Sequence, residues 1–171
     1  PDYCTITYSN ILRQLYPDSL IVIGGIEASM RRLTHYDYWS DSLKPSILVD
    51  SRADVLVYGM GEKQVMEIAD AVDRVAVDRC AVDRPAGLRI AALEEIPQVA
   101  YIEARGERLE AKGESIVLRS HEEAMKSKRV HAENFRIIET ESNKINAATI
   151  IQPVGQQYVV VNPPYPPMKS E

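Results

Sequence analysis

Two short runs constrain this chain most. Leu20-Ile21-Val22-Ile23 and Val55-Leu56-Val57-Tyr58 are continuously apolar and rich in β-branched residues, and each ends in glycine, Gly24-Gly25 in one case and Gly59-Met60-Gly61 in the other. A strand that is apolar on both faces must be covered on both, as in a parallel sheet. Each glycine turn leads into helical periodicity: a short helix near Glu27, and a longer one from Glu62 with Val65, Ile68, Ala69 and Val72 on one side. Two strand-helix units in series imply a parallel, doubly wound layer. Upstream, Tyr8, Ile11, Leu12 and Leu15 recur at i, i+3, i+4 and i+7, the apolar stripe of an amphipathic helix that Pro17-Asp18 stops. The strand that should feed this helix is not in the sequence. At the other end, Asn162-Pro163-Pro164-Tyr165-Pro166-Pro167 reads as a stiff, extended linker. Both ends are therefore read as cuts.

Between the two units, residues 35–51 are polar, aromatic and aperiodic, as in a long loop or a few short helical turns. Residues 71–84 carry Ala-Val-Asp-Arg three times at five-residue spacing, a period that fits neither helix nor strand and suggests a tolerated surface insertion. After Pro97 the pattern turns antiparallel. Residues 99–103 and 107–112 flank a turn at Arg105-Gly106, residues 115–118 form a short strand, and residues 149–152 and 158–162 make a last hairpin around Val154-Gly155. Ser120 and Glu123 form a capping box that opens a long helix, with Met125, Ala132, Phe135 and Ile138 expected on its buried side. The expected class is α/β: a partial Rossmann-like parallel sheet with helices over residues 1–83, then an α+β extension over residues 84–171 with β-hairpins and one long helix.

Composition excludes some functions. The chain has 171 residues, 45% hydrophobic and 26% charged, ordinary for a globular protein. A formal charge of -5 supplies no general attraction to nucleic acid or anionic lipid. Arg31 and Arg32 are an isolated pair, and Lys126, Lys128 and Arg129 alternate with acids, which is the pattern of a solvated helix face. The apolar runs fall far short of the about 20 residues a membrane helix needs. No nucleic-acid or membrane partner is expected, and a reducing cytoplasm is. Cys4 and Cys80 lie far apart and outside any CxxC pair, so neither a disulfide framework nor a thiolate metal site is expected.

Candidate site residues fall in two groups. Gly59-Met60-Gly61 invites the dinucleotide fingerprint, but Gln64 stands where its third glycine belongs. Glu27 and Glu62 also place carboxylates where a phosphate would need positive potential. What Gly24, Gly25, Gly59 and Gly61 share is location at the carboxyl ends of parallel strands, where open α/β sheets bind ligands. The competing reading is that they only make tight turns, with Glu27 and Glu62 favoured in the first helical turn. The second group is His35-Tyr36-Asp37-Tyr38-Trp39, amphipathic rings able to stack on a flat ligand or dock a partner, with His35 and Asp37 able to pair as a base and its orienting acid. Local packing over the sheet edge is the alternative. His121 and His131 lack metal-ligand spacing and read as solvent-facing, and no hydrolase elbow is present, so no catalytic or metal residue is assigned.

In combination, several blocks resemble the YgiQ-type radical SAM proteins. They are Ile23-Gly24-Gly25-Ile26-Glu27-Ala28-Ser29-Met30-Arg31-Arg32, His35-Tyr36-Asp37-Tyr38-Trp39, Ser46-Ile47-Leu48-Val49-Asp50-Ser51, Leu56-Val57-Tyr58-Gly59-Met60-Gly61-Glu62 and Val160-Val161-Asn162-Pro163-Pro164. The resemblance spans nearly the whole chain. It implies a segment preceding a radical SAM core whose CxxxCxxC motif lies beyond Glu171, so that the parent protein, not this segment, would carry a [4Fe–4S] cluster and cleave S-adenosylmethionine reductively. Two distant cysteines cannot supply the thiolates such a cluster requires. The first unit is also similar to the second half of a cobalamin-binding-like domain. The cobalt-ligating histidine motif belongs to the other half, and nothing here, His35 included, matches it, so cobalamin binding is not expected. The reading that follows is a non-catalytic segment for domain docking or ligand capture, its main partner the absent core, with self-association through an exposed sheet edge a further expectation. The alternatives are a free-standing nucleotide-binding α/β enzyme and a purely structural scaffold.

Overall fold

The computed structural model describes residues 3–77, 93, 95–104 and 114–165. In chain order these form α1 (Cys4–Leu15), β1 (Val22–Ile23), α2 (Gly25–Met30), β2 (His35–Asp37), β3 (Ser42–Lys44), α3 (Ile47–Ser51), β4 (Val55–Val57) and α4 (Glu62–Val77). Then come β5 (Val99–Ala104), β6 (Ser115–Val117), α5 (His121–Lys126), α6 (Lys128–Ser142), β7 (Thr149–Val154) and β8 (Gln157–Val161). The two apolar runs pair as parallel strands, Val22 opposite Val55 and Ile23 opposite Leu56. The class is α/β, as expected.

The later strands extend the same sheet. Its order is β1-β4-β5-β8-β7-β6, with parallel pairs at both ends and three antiparallel pairings between. Strand β5 lies antiparallel to β4, with Val57 opposite Val99, and so fills an edge the first unit would otherwise leave open. The last hairpin forms as expected, β7 and β8 turning at Gly155, whose φ of +59° suits glycine. The proposed partner of β5 in residues 107–112, and all but the first part of the Ala-Val-Asp-Arg repeat, lie outside the described residues. That first part continues α4.

Because side chains alternate across a strand, the sheet sorts its apolar residues onto two faces. Leu56, Ala100, Val159, Val161 and Ile150 pack with Ala28, Ile47 and Leu48 from α2 and α3 on one face. On the other, Val55, Val57, Val99, Tyr101 and Val160 pack with Ile68 and Ala71 of α4. The buried line of α4 is Gln64, Ile68 and Ala71, while Val65 and Ala69 face outward. A polar residue at the first of those positions hides the true stripe from a hydrophobic count.

Several other expectations are corrected. Residues 35–51 form the β2–β3 hairpin, with His35 opposite Lys44, followed by α3. The helix opened by the capping box is real but short: Ser127 caps a second helix, its hydroxyl accepting from the Val130 N–H. That break resets the helical phase: Met125, Ala132 and Phe135 are exposed, Ile138 is half-buried, and the buried positions of α6 are Asn134 and Glu141. His121 is buried, hydrogen-bonded through Nδ1 to the Thr34 hydroxyl, not solvent-facing. In α1 it is Ser9 that is buried, whereas Tyr8, Ile11, Leu12 and Leu15 are 44 to 64% exposed. Polar bonds hold that helix down. The Arg13 guanidinium donates to the carbonyls of Pro17, Ser19 and Arg52 and to the Asp54 carboxylate at 2.6 Å.

Candidate functional site

Three of the four glycines at the strand ends, Gly24, Gly59 and Gly61, make room for protein, and Gly25 faces open space. Gly25 and Gly59 have φ of +84° and +71°, conformations that a side chain disfavours. A β-carbon on Gly61 would lie 3.1 Å from Val57 Cγ1, and one on Gly59 would lie 2.9 Å from Gln98 Nε2. Gly24 similarly abuts the Val57 carbonyl. The two turns are tied together, because the Ser29 hydroxyl donates to the Gly25 carbonyl and accepts from the Gly59 N–H. Ile26 and Met30 of α2 and Met60 of the second turn face outward. Each is at least three-quarters exposed. Glu62 stands exposed at the start of α4.

Asp37 is the buried anchor of the aromatic cluster. Its carboxylate accepts from the Ser40 hydroxyl at 2.6 Å, the Ser40 N–H at 2.9 Å and the Tyr3 hydroxyl at 2.7 Å, and the Arg31 guanidinium lies 3.5 Å away. The Ser40 and Tyr3 bonds pull its pKa down to about 2. Arg31 also meets Glu27 at 3.2 Å and stacks over the Tyr3 ring, and Glu27 accepts from the Thr5 hydroxyl at 2.5 Å. One network thus joins α1, α2 and the β2–β3 turn. Asp37 is committed to it, and His35 instead donates from Nδ1 to the Leu33 carbonyl at 3.2 Å, so the two do not form a base and orienting-acid pair. With its interior half engaged, the turn displays the rest: Tyr38 and Trp39 sit edge to face, centroids 6.0 Å apart and both more than three-quarters exposed, and Tyr36 is exposed beside them.

Behind the turn lies a cavity of about 300 Å³. The first turn of α1 contributes Tyr3, Ile6 and Thr7, and α3 contributes Ile47 and Asp50. The remaining wall is Arg31 and the cross-strand pair His35 and Lys44. Burial pushes the His35 pKa below its ordinary value and that of Asp50 above, the latter shift opposed by Lys44, His35 and His121. Neither Lys44 nor Asp50 was singled out by function in the sequence, since residues this far apart meet only through the hairpin and α3. The one available signal was the hidden β2–β3 pairing.

Arg31 and Arg32, expected on a solvated face, are both engaged. Arg32 stacks over the Tyr58 ring at 4.9 Å and donates to the Ser29 carbonyl, and burial lowers its pKa. Tyr58, its pKa pushed by burial up to about 12, donates to the Asn162 carbonyl. Nearby, Gln98 donates from its side chain to the Tyr58 carbonyl and accepts from the Tyr165 N–H, while its own N–H donates to the Pro163 carbonyl. The Tyr165 hydroxyl donates to Glu67 of α4, and the Lys63 ammonium lies over the Tyr165 ring.

Among the described residues, no three His, Cys, Asp or Glu side chains are grouped so as to hold a metal ion. No described helix is long and apolar enough to cross a membrane. A family profile described as "Radical SAM N-terminal" matches residues 1–171. A UPF0313 protein of Bacteroides thetaiotaomicron is 47% identical over 100% of the chain and 27% of its own length. Relatives of the same description from Porphyromonas gingivalis and Clostridium perfringens are 46% and 42% identical, the chain covering 25% and 24% of them. The chain therefore spans about a quarter of the length of these relatives. No solved structure matches it.

Proposed function

The chain belongs to the radical SAM N-terminal family, and we propose that it serves there as a non-catalytic docking domain for the rest of a radical SAM protein. On this reading the larger protein, of YgiQ type, cleaves S-adenosylmethionine at a [4Fe–4S] cluster. The residues described here do not fit that cluster: they offer no group of three ligands. The observation that carries the docking role is the outward display of Ile26, Met30, Met60, Tyr38 and Trp39 by backbone that polar bonds hold in place. Exposed apolar side chains grouped on fixed backbone mark interaction surfaces. The occupant is the remaining polypeptide of the full-length protein, some three times longer than this chain by the relatives' proportions.

The test uses a full-length family protein carrying this segment. Met60→Glu and Trp39→Ala are expected to lower 5′-deoxyadenosine release and to speed proteolysis between the segment and the core, while the segment's own unfolding midpoint holds. Unchanged turnover and unchanged proteolysis in the double variant would refute docking through these side chains.

A further inference from the structure

Lys44 and Asp50 line one cavity with opposite charge, yet they make no ion pair within 4 Å and no side-chain hydrogen bond among the described residues. Arg31, by contrast, is already neutralised by Glu27 and Asp37. Counting those two carboxylates with Asp50 against Arg31 and Lys44, the surroundings hold more negative than positive charge. A phosphate or other dianion would therefore be repelled. What the walls lack is one anionic and one cationic partner at the same time, beside the apolar side chains of Ile6 and Ile47.

We propose that this cavity binds a free α-amino acid, its carboxylate on the Lys44 ammonium, its ammonium on the Asp50 carboxylate, and its aliphatic part on Ile6 and Ile47. The His35 Nδ1–H is spent on the Leu33 carbonyl, which leaves Nε2 of the neutral ring as a second acceptor for the ammonium. The walls are fixed before any ligand arrives. His35 and Lys44 are strand partners, the Ile47 N–H donates to the Arg31 carbonyl at 2.9 Å, and the Asn10 side chain donates to the Asp50 carbonyl at 3.1 Å. A volume of about 300 Å³ is at the small end of ligand pockets, which favours a metabolite of amino-acid size over a nucleotide. This inference does not depend on how the domain docks, since none of these residues belongs to the exposed group.

Calorimetric titration of the full chain with L-leucine, L-methionine and L-glutamine tests it. At least one should bind. Its N-acetyl derivative, lacking the ammonium, and its amide, lacking the carboxylate, should each bind at least about tenfold more weakly. Lys44→Met and the nearly isosteric Asp50→Asn should weaken binding to the same degree with circular dichroism unchanged. Should either variant misfold, the two ligand analogues still decide the matter. The proposal is overturned by absence of heat up to about 10 mM of all three amino acids, by equal binding of the derivatives, or by inorganic phosphate binding more tightly.

Discussion

The centre of the sheet and the flank built from α1, α2 and the β2–β3 hairpin are organised in opposite ways. In the sheet, Leu56, Val99, Tyr101 and Val160 are fully buried, with helices covering both faces. In the flank the interior is polar, an Asp37, Arg31, Glu27, Tyr3 and Thr5 network, while Tyr8, Leu12, Met30 and Trp39 face out. Hydrophobic burial therefore accounts for the first region, and directional bonds hold the second in shape. The flank bonds Asp37, Arg31 and Glu27 internally and leaves Met30 and Trp39 outside, the arrangement on which the proposed docking role rests.

Four measurements sharpen or break this contrast. Leu56→Ala removes a fully buried side chain packed with Ala28, Ile47 and Leu48 and should cost about 3 kcal/mol in urea unfolding. Asn134 bonds both the N–H and the carbonyl of Arg119 from a buried position, so Asn134→Ala should cost about 2 kcal/mol by the same measurement. In the flank, the carboxylate of Asp37 is favoured on folding, its pKa falling from 3.8 to about 2. Its contribution is complete above the unfolded value and lost as pH falls through the folded one. The stability gap between the parent chain and Asp37→Asn should therefore be open at neutral pH and close toward pH 2. Smallest of all, Trp39→Ala should change the stability of this chain by less than about 0.5 kcal/mol, because the side chain is about three-quarters exposed. A loss comparable to that of Leu56→Ala would mean the flank has a hydrophobic core after all.

The sheet was the legible region because its signals are local. Two β-branched runs closed by glycine specify the β1/β4 pair, Gly155 marks the last hairpin, and Ser120 with Glu123 forms the capping box their spacing predicts. The flank was harder to read for physical reasons. Strands β2 and β3 are three residues each and mostly polar, so no alternation announces them. The stripe of α1 is a true amphipathic pattern that nonetheless stays 44 to 64% exposed, and periodicity cannot say which side of a helix is inward. The inward positions include Gln64 in α4 and Asn134 and Glu141 in α6, which a search for apolar residues passes over. The aromatic cluster was visible as composition. Its division into a committed Asp37 and a displayed Trp39 depends on Ser40, Tyr3 and Arg31 converging on one carboxylate, and the cavity beside it depends on Lys44 being brought opposite His35.

Gln98 and Tyr165 give the proline segment a definite heading. Clasped to the β4–α4 turn at Tyr58 and to α4 at Glu67, residues 163–165 leave the sheet as a braced strut, not a swinging tether. Backbone and side-chain bonds of Gln98 and the Tyr58 hydroxyl join that strut to the Gly59 turn, and any side chain at Gly59 would push the Gln98 amide aside. The strut's pitch and the shape of the neighbouring exposed turn thus share the same set of bonds, so a substitution at Gly59 bears on both.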